Sequence, residues 1–257
     1  MLEHRVLLES PVARVAAVRC PGGAAWSAEE QVGAASVVLV RRGVFLRRAD
    51  GRSALADVTT GYVQLPGECQ QIAHPSGGDV CTSLGVPPDL AHRLAAGGGV
   101  AVSPAADLAH RRLLAAVEPD RADLAAELLA ALLPAHPATG ATPMIDDVRA
   151  LLHTDPALDL SALAAAVGWS PWHLSRVFHR VTGSTINRYR RRLRVRAALD
   201  QLSDADNLAG LAARVGFADQ AHMTRAVRAE TGGTPAALRK ALDQGERVER
   251  ATRIELA

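Results

Sequence analysis

Two stretches in the second half of the chain place arginine opposite a row of apolar side chains. The first is "GWSPWHLSRVFHRVTG" (168–183), where Leu174 and Phe178 recur at the i, i+4 spacing of one helix face. Arg176 and Arg180 then fall on the outer face. A guanidinium group can donate two parallel hydrogen bonds to guanine O6 and N7, or to a phosphate, so the chemistry indicated is contact with nucleic acid.

A second copy of this pattern follows at a constant offset. "LSALAAAVGWSPWHLSRVFHRVTG" starts at Leu160 and "LAGLAARVGFADQAHMTRAVRAETGG" starts at Leu208, 48 residues later. The second copy gains one residue after its turn, so Arg225 matches Arg176. Each copy has the form helix, glycine, three or four residues, helix, which is the helix-turn-helix pattern whose second helix enters the DNA major groove. One copy is a weak signal, whereas two in tandem with arginine at the same outward position are specific.

The residues around each turn support this interpretation. Gly168 and Gly216 can adopt the left-handed conformation that closes the first helix of each copy. Ser170 and Asp219 are suited to begin the second helices, because their side-chain oxygens can accept a hydrogen bond from a first-turn N–H. We therefore expect both second helices to start immediately after these two residues.

One long helix over residues 185–202 is predicted to connect the two copies. Its buried face is expected to consist of Ile186, Tyr189, Leu193, Ala197 and Leu202. A rigid helix of this length would hold the two recognition helices at a fixed separation of about one turn of DNA, roughly 34 Å.

Charge is distributed unevenly along the chain. The formal net charge is only +2, but the segment from Arg176 to Arg196 contains eight arginines and no acidic residue. Such a run can simply be a solvated helix face, although idle surfaces usually mix charges of both signs. The preference for arginine is itself weak evidence, because Lys240 is the sole lysine among 29 basic residues.

The first hundred residues are predicted to form short β-strands. β-Branched runs alternate with turn signals at Asp50-Gly51, Pro66-Gly67 and Ser76-Gly77-Gly78. Strands this short and regular favour a small barrel or jelly roll. A helix pair (104–133) follows, with Ser103-Pro104 as its start and a break at Glu118-Pro119-Asp120, where Asp120 can cap the second helix. The predicted fold class is therefore α+β with two domains.

Leucines at i, i+4 spacing mark one face of the second helix of this pair. Leu124, Leu128 and Leu132 form the stripe, with Leu129 and Leu133 beside it. Two interpretations remain open: the stripe packs onto the β domain, or it forms a homodimer contact.

The predicted boundaries give a sensing and dimerising domain (1–133), a linker (134–143) rich in Pro, Thr, Gly and Ala, a DNA-binding domain (144–242) and a tail (243–257). No export signal and no apolar run of about 18 residues is present, so a cytoplasmic protein without membrane contact is expected.

The second half resembles the AraC/XylS family of bacterial transcription regulators. The resemblance covers about residues 144–242 and rests on "LAAAVGWSPWHLSRVFHRVTG", "YRRRLRVRAAL" and "GFADQAHMTRAVRAETGGTPAALR". It implies two helix-turn-helix units in a seven-helix DNA-binding domain, usually behind a cupin-like domain that binds a ligand and dimerises. Implied partners are a double-stranded DNA operator, a second copy of the chain, RNA polymerase and a small organic effector.

The resemblance also implies which residues contact DNA. Base contacts map onto Trp172, Ser175, Arg176, Gln220, Ala221, His222 and Arg225. Arg180, Arg190 and Arg228 map onto phosphate contacts, which set affinity rather than sequence preference. For Trp172 the alternative is packing in the core. His173 and His179 are expected to be surface residues rather than base readers.

Three positions depart from the family pattern. Ile186 stands where proline is frequent, Val227 stands where an aromatic residue is frequent, and Ala221 cannot hydrogen-bond a base. The second unit is therefore expected to contact fewer bases than the first.

The sensor half resembles a cupin through "DVTTGYVQLPGECQQIAHP", which contains Gly61, Pro66, Gly67 and His74. A catalytic cupin also needs a histidine pair and a glutamate on an earlier strand, and residues 15–45 contain no histidine. A cupin-type enzyme is therefore the weaker alternative, and neither catalytic residues nor a cofactor are predicted.

Three cysteines, Cys20, Cys69 and Cys81, all fall on predicted strands. Free cysteine behaves as a small apolar residue, so core packing is the simplest expectation. Thiolates also bind soft metal ions and react with oxidants, which leaves a metal- or thiol-responsive regulator as an alternative. Cys69 and Cys81 are expected on the two arms of one hairpin around Ser76-Gly77.

Overall fold

The computed structural model describes residues 3–9, 14–96, 99–116, 120–133 and 142–240. Within them, a curled antiparallel sheet with three helices precedes an entirely helical part. The strands are β1 Glu3–Glu9, β2 Arg14–Cys20, β3 Glu30–Gln31, β4 Ser36–Arg42, β5 Val44–Ala49, β6 Arg52–Asp57, β7 Thr60–Gln64, β8 Cys69–Ala73, β9 Asp79–Gly85 and β10 Val100–Ala101. The helices are α1 Pro88–Ala95, α2 Pro104–Ala115, α3 Arg121–Leu132, α4 Pro143–Thr154, α5 Leu160–Ala166, α6 Pro171–Thr182, α7 Ile186–Asp200, α8 Leu208–Arg214 and α9 Gln220–Thr231.

The strands follow the order β1-β2-β9-β4-β7-β6-β5-β8-β3, and β10 pairs with β7. The turn at Asp50-Gly51 works as expected: both residues have positive φ, and Ala49 pairs with Arg52 across a two-residue hairpin. Gly67 also has positive φ, at the turn between β7 and β8. The sequence signals thus predicted the local turns correctly.

One predicted hairpin is wrong. β8 pairs with β5 and β3, whereas β9 pairs with β2 and β4, so Cys69 and Cys81 do not lie on paired arms. The Ser76-Gly77 turn instead carries the chain from one part of the curled sheet to another. Cys20 and Cys81 lie on the paired strands β2 and β9, whereas Cys69 lies on β8 among other neighbours, so the three cysteines do not form one cluster.

The helix pair packs onto the sheet as one apolar core. Leu128 and Leu132 are fully buried there, together with Leu39, Leu84 and Leu113. The interpretation of the leucine stripe as a dimer surface is therefore wrong, because α3 uses that stripe within the chain. The Ser103 side chain accepts the expected cap bond from the Ala106 N–H, but Asp120 makes no such bond.

Each helix-turn-helix unit has the expected caps. The Ser170 and Asp219 side chains accept hydrogen bonds from the N–H groups of His173 and His222, respectively. Gly168 and Gly216 both have positive φ at the turns. The connecting helix is α7, and residues 235–240 are again helical.

A second apolar core crosses from the sheet into the helical part. Val38, Val40 and Phe45 of the sheet belong to the same cluster as Ile145 and Leu152 of α4. The two parts of the chain are thus packed together over a shared core rather than joined only by a linker. Most of the predicted linker (134–141) and the whole predicted tail lie outside the described residues.

Across the part of the chain that the structure describes, no helix combines the length and the apolar character needed to cross a membrane.

Candidate nucleic-acid interface

The first recognition helix, α6, separates its buried and exposed faces cleanly. Leu174 and Phe178 are fully buried, whereas Ser175, Arg176 and Arg180 are exposed. The Ser170 cap and the left-handed Gly183 fix the two ends of the helix. The outer face therefore presents polar side chains on a rigid element, as major-groove contact requires.

Trp172 is 68% exposed, so the core-packing alternative for this residue is wrong. Its ring instead stacks with the guanidinium of Arg176, whose Cζ lies 4.4 Å from the ring centroid. Such a cation–π contact orients the guanidinium plane and leaves its N–H edge available for a base or a phosphate.

The second recognition helix, α9, has the same arrangement. Its buried residues are Met223, Ala226 and Val227. Val227 thus lies in the core, at the position where family members frequently have an aromatic residue. The exposed positions on this helix are Gln220, Ala221, Arg225, Arg228 and Ala229.

His222 is only half-exposed, and its ring packs edge-on against Phe217 with a centroid distance of 5.2 Å. The equivalent pair in the first unit is His173 and Trp169, at 4.8 Å. The two histidines thus share a position that helps to cover the turn. Base contact by His222 remains a prediction, and this packing restricts the freedom of its side chain. His179 is exposed, as expected.

The arginines of α7 are used differently from those of α6. Arg190 donates to the backbone carbonyl of Leu158, and Arg192 donates to the Val102 carbonyl at 2.5 Å. Arg196 is buried and bonds Asp107 at 2.5 Å. These three arginines of the run are thus bonded within the protein, whereas Arg188 and Arg191 of the same helix are exposed. Phosphate contact by Arg190 stays a prediction, with its guanidinium already bound to a carbonyl.

The side of the DNA-binding domain that packs on the sheet contains a buried charged network. Asp57, at the end of β6, is fully buried and forms an ion pair with Arg149 of α4, whose Nε donates to Asp57 Oδ2 at 3.1 Å and whose Nη2 lies 2.9 Å from the same oxygen. His153 Nε2 lies 3.4 Å from the same carboxylate, and the Tyr189 hydroxyl donates to it. Asp57 thus connects three side chains of the helical part to the sheet.

Protonation equilibria in this network are strongly shifted. Burial alone would raise the pKa of Asp57, but the Arg149 guanidinium and His153 hold that pKa well below its usual range. Burial and the neighbouring Asp57 charge raise the pKa of Tyr189 well above its usual value. An ionised Asp57 and a neutral Tyr189 that donates to it are therefore the stable states across the physiological range.

The predicted sensor residues are placed as follows. Gly61 lies in β7, Pro66 and Gly67 lie in the turn before β8, and His74 follows β8. His74 is buried against Phe45, with ring centroids 5.5 Å apart. Its two ring nitrogens contact Cys20, which lies 54 residues away in the chain, and Asp79, which lies across the following turn at the start of β9. Neither partner was predicted from the sequence.

Comparisons with known proteins agree with this geometry. The helix-turn-helix domain family matches residues 163–241. The probable transcription factor PqrA of Proteus vulgaris is 30% identical over 102 residues, which are 38% of this chain and 84% of PqrA. The right origin-binding protein of Escherichia coli K12 is 36% identical over 89 residues, 34% of this chain and 31% of its own length. The chain thus spans about a third of the length of that relative.

Among solved structures, an AraC-type transcriptional regulator from Chromobacterium violaceum matches 40% of this chain and 94% of its own, with 23% identity and a TM-score of 0.38. A cupin superfamily protein from Desulfitobacterium hafniense covers 34% of this chain and 77% of its own, with 13% identity and a TM-score of 0.29. With its two capped helix-turn-helix units and its match to nearly the whole of PqrA, the chain belongs to the AraC family of DNA-binding transcription regulators.

Proposed function

We propose that the chain binds a specific operator and that its N-terminal domain senses a small organic ligand that alters this binding. One observation carries the proposal. The two recognition helices expose their polar faces, while the opposite side of the same domain is held on the sheet by buried charges. A change in the N-terminal domain therefore has a direct physical route to the DNA-binding domain.

The ligand site fits the cleft between the two parts of the chain. Its volume is about 550 Å³, a size typical of small-molecule sites. It is lined from the sheet side by Arg41, Arg42 and Val58 and from the helical side by Leu152, Arg194 and Asp200. A ligand there would contact both domains, so it would bind the docked and undocked arrangements with different affinity.

The cleft favours an anionic organic ligand. Arg41 is half-buried, and this burial lowers the pKa of its guanidinium. Arg42 has one acidic partner, Asp200, at 3.7 Å, and Arg42 itself is largely exposed. A carboxylate would compensate these cations through charge-assisted hydrogen bonds, while Val58 and Leu152 supply apolar contact.

Operator specificity is tested by selecting sequences from random double-stranded DNA with the full chain. We expect one enriched motif with two elements about one helical turn apart, bound at least about a thousandfold tighter than random DNA. Uniform affinity for all sequences would contradict specific recognition.

Ligand binding in the cleft is tested separately, by thermal unfolding of the full chain with a panel of small aromatic and aliphatic carboxylic acids. A compound that stabilises the protein should also change its affinity for the selected operator. Arg41→Gln should lose this stabilisation, whereas Arg52→Gln, an exposed position outside the cleft, should retain it. Equal responses from both variants would place the ligand elsewhere.

Assembly as a homodimer and contact with RNA polymerase belong to the same proposal. The leucine stripe no longer supports a dimer, because Leu128 and Leu132 are in the core. Sedimentation of the full chain with and without operator DNA measures whether one or two copies bind.

A further inference from the structure

Three side chains meet where the paired strands β2 and β9 lie beside the segment that follows β8. Cys20 Sγ lies 3.8 Å from His74 Nδ1, and His74 Nε2 lies 2.6 Å from Asp79 Oδ1. One donor atom from each of the three residues can be chosen so that all lie within 4.8 Å of one another. Together they offer a thiol sulfur, an imidazole nitrogen and a carboxylate oxygen.

Around this cluster, the backbone at Cys20–Gly22 lies very close to the backbone at Gly78–Asp79. Cys20 at the end of β2 is the register partner of Asp79 at the start of β9, and the His74 N–H donates to the Gly23 carbonyl at 2.8 Å. A Cβ on Gly78 would lie 2.4 Å from the Cys20 carbonyl oxygen, and one on Gly22 would lie 2.7 Å from the Gly78 nitrogen. Only glycine permits the two segments to pack this tightly, so the sequence preserves the geometry that brings the three side chains together.

The cluster is largely shielded from water, with one open side. His74 is 8% exposed and Asp79 is 5% exposed, whereas Cys20 is half-buried. The second carboxylate oxygen of Asp79 accepts a hydrogen bond from the buried Cys81 thiol at 2.7 Å. This hydrogen bond from Cys81 fixes the orientation of the Asp79 carboxylate, as hydrogen bonds to carboxylate ligands commonly do in metal sites.

We propose that Cys20, His74 and Asp79 bind a zinc ion. Sulfur, nitrogen and oxygen donors suit Zn²⁺, with bond lengths of about 2.3 Å to sulfur and about 2.0–2.2 Å to nitrogen and oxygen. Donor atoms around one tetrahedral ion lie on the order of 3.3–3.8 Å apart. Cys20 and Asp79 contact opposite ring nitrogens of His74, so the ring has to turn and Asp79 has to give up its bond to Nε2 for one ion to reach all three donors. The Cys20 thiol releases its proton to water when the ion binds. A water molecule would supply the fourth ligand of a tetrahedral ion.

The site adjoins the DNA-binding domain. Ser76, in the turn between His74 and Asp79, accepts a hydrogen bond from the Thr154 hydroxyl of α4 at 3.2 Å and also lines the interdomain cleft. A metal ion that fixes this turn would alter its contact with α4. This coupling rests on the proposed function, whereas the metal site itself does not.

Cobalt(II) titration of the reduced full-length chain tests the site, because Co²⁺ occupies zinc sites and reports thiolate and tetrahedral coordination by its absorption. We expect one equivalent to bind, with a thiolate-to-cobalt charge-transfer band, and zinc to displace it. Cys20→Ser should lose the charge-transfer band, and His74→Gln should weaken binding at least about tenfold. Cys69→Ser is the matched control and should behave as the wild type, because Cys69 is exposed and outside the cluster.

The outcomes separate the site from its coupling. Absence of the charge-transfer band in the wild type, or its loss in Cys69→Ser but not in Cys20→Ser, would overturn the metal site. Circular dichroism of each variant shows whether a loss of binding reflects unfolding, and Cys20→Ala provides a second substitution at the half-buried position. The affinity of the metal-free chain for its selected operator tests the proposed function alone. A bound metal that leaves this affinity unchanged would overturn only the coupling.

Discussion

The carboxylate of Asp57 in the sheet and the guanidinium of Arg149 in α4 form a buried ion pair across the domain boundary, with a closest nitrogen–oxygen distance of 2.9 Å. Asp57 has no exposed surface, and the Arg149 side chain is 9% exposed. A second buried pair, Asp107 and Arg196, joins the same two parts at 2.5 Å. Two buried ion pairs therefore join the DNA-binding domain to the N-terminal part, and removing one member of a pair leaves the other charge buried without its partner.

Removing one member of the first pair should destabilise the chain strongly. Asp57→Ala leaves the Arg149 charge buried without its main partner, at an expected cost of about 3–5 kcal/mol in unfolding free energy. The double variant Asp57→Ala with Arg149→Met should recover much of this loss, because the buried charge is removed. Chemical denaturation of the four proteins in a double-mutant cycle measures the coupling, and additive effects would contradict a direct pairing.

A buried histidine predicts a specific pH dependence. Burial lowers the pKa of His110 to about 3, and its Nε2 lies 2.8 Å from the Thr82 hydroxyl. Below the unfolded-state pKa of about 6.5, the unfolded chain takes up a proton that the folded chain excludes, so stability falls as pH falls towards about 3. The expected contribution is about 1.4 kcal/mol for each pH unit in that window.

His110→Gln retains a hydrogen-bonding group but cannot take up this proton. Denaturation between about pH 7.5 and about pH 4.5 should therefore show a shallower loss of stability for the variant than for the wild type. Parallel curves would mean that His110 titrates normally in the folded protein.

The leucine stripe predicts a core effect rather than a change of assembly. Leu128→Glu places a charge at a position with no exposed surface, so the variant should unfold or aggregate. Leu133→Glu, on the same stretch but 39% exposed, is the matched control and should remain folded. A folded, monomeric Leu128→Glu protein in sedimentation experiments would restore the dimer interpretation.

Local features of this chain were predictable from sequence because their causes are local. Ser170 and Asp219 cap helices through bonds to residues three positions away, and the Asp50-Gly51 turn depends only on its own backbone. The 48-residue repeat made both recognition helices visible for the same reason. By contrast, the partner of Arg196 lies 89 residues away. A charge run considered alone could not show that some of its members are bound inside the protein.

The same limit applies to the cysteines. Proximity of Cys69 and Cys81 was inferred from their separation along the chain, but strand pairing placed β8 and β9 in different neighbourhoods. The association of Cys20 with Asp79 depends on the register between β2 and β9, which neither strand specifies by itself. Cys20 lies near His74 because the chain at Gly78 passes very close to the Cys20 carbonyl oxygen. The glycine is visible in the sequence, but its neighbours in the sequence do not show which segment it packs against.

Phosphate contacts should be distinguishable from structural arginines by their salt dependence. Arg228 is exposed on α9, so Arg228→Ala should reduce the slope of log affinity against log salt by about one. Arg190 is also predicted to contact phosphate, but its guanidinium is bonded to the Leu158 carbonyl, so Arg190→Ala should lower stability and change that slope less than Arg228→Ala does. Equal slope changes for both variants, measured on the selected operator and on random DNA, would show that Arg190 leaves Leu158 to bind phosphate.

Two arginines, one on each recognition helix, are expected to determine the sequence preference. Arg176 and Arg225 occupy equivalent exposed positions on α6 and α9. If each contacts a base edge, its replacement by alanine should cost about 1–3 kcal/mol on the operator and relax preference at one base pair. The two affected base pairs should lie about 10 base pairs apart, because α7 fixes the spacing between the units.

The first unit should contribute more, because Arg176 is oriented by Trp172 and because Ala221 in the second unit cannot hydrogen-bond a base. Binding of Arg176→Ala and Arg225→Ala to a library of operator variants measures both effects. Trp172→Ala separates orientation from charge: it should broaden the preference at the Arg176 base pair while leaving the salt dependence close to that of the wild type. Losses of equal size on every sequence would instead assign both arginines to phosphate contact.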